Sequence, residues 1–543
     1  MRTSRVLLVL VAVLAWTPMP AAAQHDSDPH THAVPERLGQ VHFETSCTRT
    51  LQPEFTRGVA LLHSFAYGAA SKAFTEVATH DPACGMAQWG IAMSNFHTIW
   101  GPATDAEFAA GQAAARKATA LGASTARERD YIAAVAAFYD GDNVPHAARV
   151  AAYERAMAGV AERYPDDHEA AILYAVAMLG VAYNSPPDKS YARQRKAAEI
   201  LNRMLPLEPG HPGIAHYLIH SFDYPDLAQL ALPAARVYAK IAPSAPHALH
   251  MPSHIFTRLG MWQESIASNL ASAEAAQQGL ARSHSSATSF EAMHASDYLA
   301  YAYLQTGQDA KARELADRVA QAASLDVPQF SAGYAFAAIP ARYALERRSW
   351  QEAASLDVVP TFFPWAKYPY AEAIVHFAQC VGAARTGDVP RARAALERLT
   401  AIQKGLVGQK GFDWASQVEI QRLAAAGWLA RAEKKDDEAV KLLRAAAELE
   451  DATDKHPVTP GAVLPAREQL ADLLAELGRP AEALAEYEAS LRSAPARLNS
   501  YAGAARAAER TGQKEKAKDF EGRLQALCGG SLPSRATASL GQP

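Results

Sequence analysis

Apolar residues recur along most of the chain at spacings of three and four, which is the spacing of an amphipathic helix. Runs in which Val, Ile and Thr alternate with polar residues are few, and the Asn-Gly pairs that favour two-residue hairpins are missing from the sequence. Alanine is frequent in every part of the chain, as expected where helices pack closely. The pattern therefore predicts an all-α protein.

The positions of small residues divide this helical pattern into a repeated unit. Gly478 is followed five residues later by Ala483 and nine residues later by Tyr487. The same spacing recurs in the series Gly307, Ala312, Ala316 and the series Gly387, Ala392, Leu396. The pattern resembles the tetratricopeptide repeat (TPR), a helix–turn–helix of about 34 residues. The resemblance covers about Phe55 to Leu527.

This resemblance implies a TPR-like α-solenoid, a right-handed superhelix of helical hairpins with glycine in the turn and alanine at the closest helix crossing. The stretches Phe55–Phe65, Asp81–Met93, His216–His220 and His247–Phe256 also resemble a group of secreted bacterial TPR proteins. That second resemblance implies a compartment and a fold rather than a reaction, because such arrays serve as scaffolds for many functions.

The first 23 residues predict a secretory signal peptide. Arg2 and Arg5 precede an apolar run from Val6 to Trp16, and small residues ending at Ala23 suit cleavage there. No later stretch of 18 residues is apolar and free of charge, so we expect no membrane span after cleavage. The sequence thus predicts a periplasmic or extracellular protein.

An oxidising compartment permits disulfide bonds. Cys47 and Cys84 flank what the pattern indicates is the first helical hairpin, so we expect them to pair. Cys380 and Cys528 lie far apart in any linear array, and we expect both to be unpaired.

The repeat pattern also predicts how the chain is divided. A flexible N-terminal segment and a disordered C-terminal tail enclose three groups of repeats, the central one rich in histidine. The predicted bounds are 1–23 for the signal peptide, 24–50 for the flexible segment, 51–210, 211–325 and 326–528 for the repeats, and 529–543 for the tail.

Charge and motifs exclude several classes of function. The 53 Lys and Arg residues against 57 Asp and Glu residues give a net charge of −4, so no broad basic field is present and nucleic acid is not expected as the main partner. The sequence contains no Gly-x-Ser-x-Gly nucleophile motif, no phosphate-binding glycine loop and no Cys-x-x-Cys. These absences leave metal chemistry open.

Histidine is unevenly distributed. Of the 19 histidines, eight fall within residues 211–294, where even spacing would place about three: His211, His216, His220, His247, His250, His254, His284 and His294. By resemblance to TPR arrays, units that start at Ala215, Pro246 and Met293 would each place a histidine at their second position, on the helix that lines the concave groove. Pro252 interrupts this helix in the middle unit.

Two His-x-x-x-His pairs, His216 with His220 and His250 with His254, have the spacing by which one helix face chelates a metal. Imidazole is a ligand for Zn, Cu and Fe, so we expect one of these divalent transition metals. The candidate ligands are His216, His220, His250, His254 and His294, with His247, Asp223 and Asp297 as second choices. A smaller group near the first hairpins comprises His63, Asn95, His97 and Trp100.

Three functions remain open at this point. The first is a scaffold that binds a protein, peptide or small ligand in its concave groove and holds a metal on three consecutive repeats. The second is a metalloenzyme that uses the same histidines with an open coordination position. The third is a plain protein–protein adaptor, in which each histidine is a structural group bonded to its neighbours.

Overall fold

The computed structural model describes residues 36–282, 285–409 and 411–536. The predicted signal peptide, residues 24–35 of the predicted flexible segment, His284 and residues 537–543 of the predicted tail lie outside this range. The described residues from Arg37 onward belong to one unit.

Helices follow one another along the whole of this unit. Those that precede the middle of the chain are α1 Gln52–His63, α2 Tyr67–His80, α3 Gly85–Phe96, α4 Asp105–Leu121, α5 Ala126–Tyr139, α6 His146–Arg163, α7 His168–Tyr183, α8 Ala192–Met204, α9 Pro212–Phe222, α10 Ala228–Ile241, α11 Pro246–His250, α12 Pro252–Arg258 and α13 Trp262–Arg282. Those that follow are α14 Phe290–Gln305, α15 Asp309–Gln321, α16 Phe330–Glu346, α17 Trp350–Ala354, α18 Pro369–Thr386, α19 Val389–Leu406, α20 Trp414–Ala432, α21 Asp436–Ala452, α22 Ala466–Glu476, α23 Pro480–Ser493, α24 Leu498–Arg510 and α25 Lys514–Leu527.

No strand occurs in the described residues, where the one β-bridge joins Thr288 to Leu325. Two short 3-10 helices, Arg49–Leu51 and Trp365–Lys367, complete the regular structure there. The predicted all-α solenoid of TPR-like hairpins is confirmed. Across the same part of the chain, none of the helices combines the length and the apolar character that a membrane crossing requires.

The repeat positions behave as the sequence predicts. Gly307, Gly387 and Gly478 lie in the turns between paired helices with φ of 72°, 84° and 72°, a left-handed conformation that a side chain would strain. The alanines five residues later, Ala312, Ala392 and Ala483, are fully buried where the two helices of a hairpin cross. A larger side chain at those positions would force the helices apart.

The array also closes on itself at two places. Helix α1 contacts α9, and α14 contacts α24. At the second contact, the buried Arg497 donates to Tyr301 Oη at 2.9 Å and forms ion pairs with Glu346 at 2.7 Å and Glu468 at 2.9 Å. These contacts fill space that an extended superhelix would leave as an open groove.

Most of the hydrophobic core divides into three clusters of buried side chains. One extends from Leu38 to Phe256, a second from Trp262 to Phe363, and a third from Tyr334 to Phe520. The first two meet near α12, which is also where the histidines converge. A polar centre therefore lies at the seam between two apolar cores.

The described parts of both terminal segments contact the repeats. Leu38, Val41 and Phe43, which precede α1, are buried in the first core cluster. In the tail, Ala536 is 1% exposed and Arg535 donates to the carbonyl oxygen of Glu346. The sequence prediction missed these anchors because each is a single short apolar or basic stretch without periodicity.

The cysteines pair as predicted. Cys47 and Cys84 form a disulfide that joins the N-terminal segment to the start of α3. Cys380 and Cys528 are both free. Burial raises the pKa of the Cys380 thiol to about 12, so this thiol is unreactive.

Candidate metal centre

Six of the predicted histidines come together from four helices. Helix α9 carries His216 and His220, α11 carries His247 and His250, α12 carries His254, and α14 carries His294. They form two groups of three, in each of which the ring nitrogens lie within 4.8 Å of one another. We call His216, His220 and His247 the first trio, and His250, His254 and His294 the second trio.

Pro252 shapes the helix between the trios. It lacks an N–H and ends the α-helical hydrogen bonds after His250, so α11 and α12 are separated at Met251. Across this break, the amide of His254 donates to the carbonyl oxygen of Met251 at 3.1 Å, a tighter turn than in an α-helix. The predicted interruption is confirmed, and His250 and His254 nevertheless face each other across it.

The first trio is centred on His216. Its Nε2 atom lies 3.1 Å from Nε2 of His220 and 3.1 Å from Nε2 of His247. Its other nitrogen, Nδ1, donates to the carbonyl oxygen of His63 at 2.6 Å, which fixes the ring from the first hairpin. The ring of Phe65 covers this trio, with its centroid 4.3 Å from that of His216.

The second trio is more tightly held. Nε2 of His250 lies 3.0 Å from Nε2 of His254, and the His294 ring centroid lies 4.3 Å from that of His250. His250 Nδ1 bonds Asn269 Oδ1 at 2.6 Å, and His254 Nδ1 bonds Asp223 Oδ2 at 3.0 Å. In metal sites, hydrogen bonds from the ring nitrogen that does not bind the metal orient the histidine ligands in this way.

These partners determine where the protons of the second trio reside. The amide nitrogen of Asn269 donates to the carbonyl oxygen of Ser265 at 2.7 Å, so its Oδ1 atom faces His250 as an acceptor. A carboxylate such as Asp223 also only accepts. His250 and His254 must therefore each donate from Nδ1, and in neutral rings both Nε2 atoms carry lone pairs that face each other at 3.0 Å. A cation between them would convert this repulsion into attraction.

Burial keeps the six rings uncharged. His216, His220, His250 and His254 are at most 3% exposed, and His247 and His294 are half-buried. Burial lowers the pKa of His250 to about 3, with the neighbouring His254 contributing, and it lowers the pKa of each of the other five rings below the usual value. Neutral imidazole is the form that binds metal.

This burial separates four of the six histidines from solvent. The reason is the contact between α1 and α9, which places the first hairpin over the helix face that would otherwise border the groove. His216, His220, His250 and His254 are interior groups of the array, whereas His247 and His294 are half-buried.

The two carboxylates named as second choices have other roles. Asp223 supports His254 from outside the trio and is also bound by Arg258 at 2.9 Å and by Lys455 at 3.5 Å. Burial raises the pKa of Asp223, but the charges of Lys455 and Arg258 outweigh it and hold the pKa well below its usual range. Asp297 lies 3.6 Å from Arg342 and belongs to neither trio.

A third group, His63, Glu169 and His211, also brings potential ligands together. Here each ring faces an oxygen of Glu169, at 3.0 Å from His63 Nε2 and 2.8 Å from His211 Nε2. His63 Nδ1 bonds Tyr217 at 2.8 Å. The hydrogen bonds of this group are already complete, so it supports the first trio through the His63 carbonyl and has no need of a metal.

Several residues that complete the centre belong to no recognisable sequence motif. Asn269 on α13 and Tyr298 on α14 are single polar or aromatic residues without a motif, and both are at most 1% exposed. The Tyr298 hydroxyl lies 3.3 Å from His254 Nε2. Only contacts in three dimensions identify these partners.

A cavity of about 1020 Å³ lies beside the centre. Its lining includes Thr257 and Arg258 of α12, Lys455, Tyr334 and residues of α20 to α23, but none of the six histidines. Through Arg258 and Lys455, which both bind Asp223, the wall of the cavity is connected to the second trio.

Fold and site together define an all-α, TPR-like solenoid with a buried histidine centre. No protein-family model matches the sequence, and neither does any curated protein. Among solved structures, the chain is similar to the human IFIT1 dimer with PPP-AAAA at 13% identity, over 89% of this chain and 96% of that one, with a TM-score of 0.38.

Two further structures are similar in the same way. One is the Cut9–Hcn1 hetero-tetramer of the APC/C, at 13% identity over 91% of this chain and 96% of that chain, with a TM-score of 0.32. The other is the TPR domain of P58(IPK), at 12% identity over 86% and 99%, with a TM-score of 0.20. At such identities and scores, these likenesses carry no argument about what this chain binds.

Proposed function

We propose that this protein is a TPR-like scaffold that holds a transition-metal ion in the second trio. The observation that carries the proposal is the pair of Nε2 atoms of His250 and His254, 3.0 Å apart with both ring protons committed elsewhere. Two lone pairs at this distance repel each other in a buried site. A metal ion that accepts both, with His294 as third ligand, removes that conflict.

The ligand type narrows the choice of ion. Three neutral imidazoles suit Zn, Cu or Fe rather than Mg or Ca, which prefer oxygen. The fixed Nδ1 partners of His250 and His254 reduce the entropy lost on binding. The scaffold would therefore bind the ion without large rearrangement.

A metalloenzyme is the second candidate, and the number of ligands favours it. Three protein ligands leave a tetrahedral ion with one open position for water or substrate. The adjacent cavity offers space for a small ligand or a partner segment. In the plain adaptor, the third candidate, the histidines would hold no ion.

We also propose that the protein works in an oxidising compartment, the periplasm or the outside of the cell. The disulfide between Cys47 and Cys84 supports this proposal, because such bonds are rare where thiols are kept reduced.

Elemental analysis of the protein, purified without chelator and again after chelation, tests the metal. We expect bound Zn, Cu or Fe in the first sample and loss in the second. The double variant His250→Ala, His254→Ala should retain less metal, while His80→Ala, His376→Ala, with two histidines of α2 and α18, should retain as much as the native chain.

Metal-free native protein that also takes up no Zn²⁺, Cu²⁺ or Fe²⁺ on titration would refute the proposal. If metal is bound, a Co²⁺-substituted sample separates the two remaining candidates. A spectrum that changes on addition of azide indicates an open position and favours the enzyme, whereas an unchanged spectrum favours the scaffold with a closed site.

A further inference from the structure

We propose that the two trios form one dinuclear metal centre, in which His216, His220 and His247 hold a second ion and the two ions share a small bridging anion. This inference rests on the proposed function for the ion of the second trio. It adds a second site, a distance and a class of ligand.

The first trio repeats the arrangement of the second. His216 donates from Nδ1 to the His63 carbonyl, so its Nε2 atom presents a lone pair to two other ring nitrogens at 3.1 Å. This one lone pair accepts only one proton well, yet it faces two rings. Three imidazoles around a single point are a common arrangement for a metal ion. His220 Nδ1 is buried without a hydrogen-bond partner among the described residues, so no hydrogen bond on that side fixes its tautomer.

The backbone beside the first trio is strained. Phe65 has φ of 54°, in the left-handed region that non-glycine residues rarely adopt. In this conformation its ring lies 4.3 Å from His216 and 5.6 Å from both His220 and His247, measured between centroids. Strained residues concentrate at binding sites, where the surrounding structure holds them in place. Phe65 shields the first trio from water.

Five of the six rings, all except that of His294, form a single closed loop across the two trios. Successive ring centroids are 4.8 Å apart from His216 to His220, 6.5 Å to His254, 4.9 Å to His250, 6.4 Å to His247 and 4.9 Å back to His216. An ion at about 2 Å from a ring nitrogen lies about 3 Å from the ring centroid. Two ions bound inside this loop are therefore at most about 13 Å apart. They are closer if the rings of both trios point towards the centre of the loop.

Charge identifies the class of the shared ligand. All six ring ligands are neutral, so two divalent ions would place four positive charges in a buried site. The nearest carboxylate, Asp223, is already paired with Arg258 and Lys455. Each ion has three protein ligands and an open position. A small anion such as hydroxide, bound between ions about 3.5 to 4 Å apart, supplies both the missing ligand and the missing charge.

Electron paramagnetic resonance of the copper-loaded chain tests the inference. Metal-free protein is titrated with Cu²⁺, and bound copper is counted by elemental analysis. We expect two ions per chain with a signal that integrates to far less than two spins, because neighbouring Cu²⁺ ions couple through a bridge. Protein loaded with equal amounts of Cu²⁺ and Zn²⁺ should regain an ordinary, uncoupled signal. Addition of azide should change the spectrum of the two-copper form.

A variant isolates the second trio. His216→Ala, His220→Ala should bind one Cu²⁺ with a full one-spin signal, and circular dichroism checks that it folds. Loading the native chain with equal amounts of Cu²⁺ and Zn²⁺ also compares coupled with isolated copper ions, without any substitution.

The outcomes are distinct. Two bound ions with two full, uncoupled spins, or a single ion that is lost in His250→Ala, His254→Ala, would overturn the dinuclear centre and leave the proposed function intact. No bound copper in any form, together with no other transition metal, would overturn both.

Discussion

Replacement of Asn269 by leucine tests whether the second trio is built for a metal. Asn269 touches no candidate ion, yet its Oδ1 atom accepts from His250 Nδ1 at 2.6 Å and so holds the His250 ring with its lone pair inward. Leucine has a similar volume and no acceptor. The Asn269→Leu variant therefore leaves all six histidines present and removes the group that fixes one of them.

The expected magnitude follows from the role of such partners. Loss of a hydrogen bond behind a metal ligand weakens binding by about 10-fold to 100-fold, or about 1.4 to 2.7 kcal/mol. The buried Nδ1–H of His250 also loses its partner, which destabilises the fold by about 1 to 3 kcal/mol. Asn269→Asp keeps an acceptor at the same place, so its metal affinity should stay at or above that of the native chain.

Competition against a coloured chelator measures the Zn²⁺ affinity of each variant. Asn499→Leu is the matched control, because Asn499 is also buried and donates to the carbonyl oxygen and a carboxylate oxygen of Glu346, both at 3.0 Å, far along the chain from the trios. It should lose stability but not affinity. If folded Asn269→Leu binds Zn²⁺ as tightly as the native chain, then Asn269 does not position a metal ligand and the reasoning fails.

Two further predictions concern stability. The disulfide closes a span of 37 residues, so Cys47→Ser with Cys84→Ser should destabilise the N-terminal hairpins by about 4 kcal/mol; hydrogen exchange should quicken in α1 to α4 and remain unchanged in α20 to α25. Burial raises the pKa of Glu450 to about 7 in the native fold. As the pH rises from about 4.5, Glu450 therefore ionises in the unfolded chain before it ionises in the native one. The free energy of unfolding should fall by up to about 3 kcal/mol by about pH 7. Glu450→Gln lacks this loss, and its advantage in denaturant midpoint over the native chain should grow across that range.

Each of these predictions has a clear contrary result. Uniform acceleration of exchange along the whole array would mean that the disulfide does not act locally. Parallel stability curves for the native chain and Glu450→Gln between pH 4.5 and 7 would mean that the carboxyl group of Glu450 titrates normally in the fold.

The sequence determines the repeats well because their signals are local. Gly478 and Ala483 act within a single hairpin, one through its backbone conformation and the other through its small size, and both occupy the predicted places. The histidine cluster could be located for the same reason, since helical spacing places His250 and His254 on one face.

Contacts between distant segments could not be predicted in this way. His63 supports His216 from 153 residues away, and nothing in either local sequence specifies that pairing. Asp297 lies on α14 as expected, but it is 3.6 Å from the buried Arg342 and belongs to neither trio. The contact between α1 and α9, which helps to bury His216 and His220, likewise joins segments that are far apart in the sequence.

The position of the histidine centre at the seam between two cores bears on how the array unfolds. In a linear repeat protein each hairpin is stabilised mainly by its neighbours, so unfolding spreads from one hairpin to the next. His216, His220 and His247 lie on α9 and α11, whose apolar residues belong to the first core. His294 lies on α14, whose apolar residues belong to the second. Metal ions in this centre would cross-link the two cores. Unfolding that spreads hairpin by hairpin from either end would then stop at the centre.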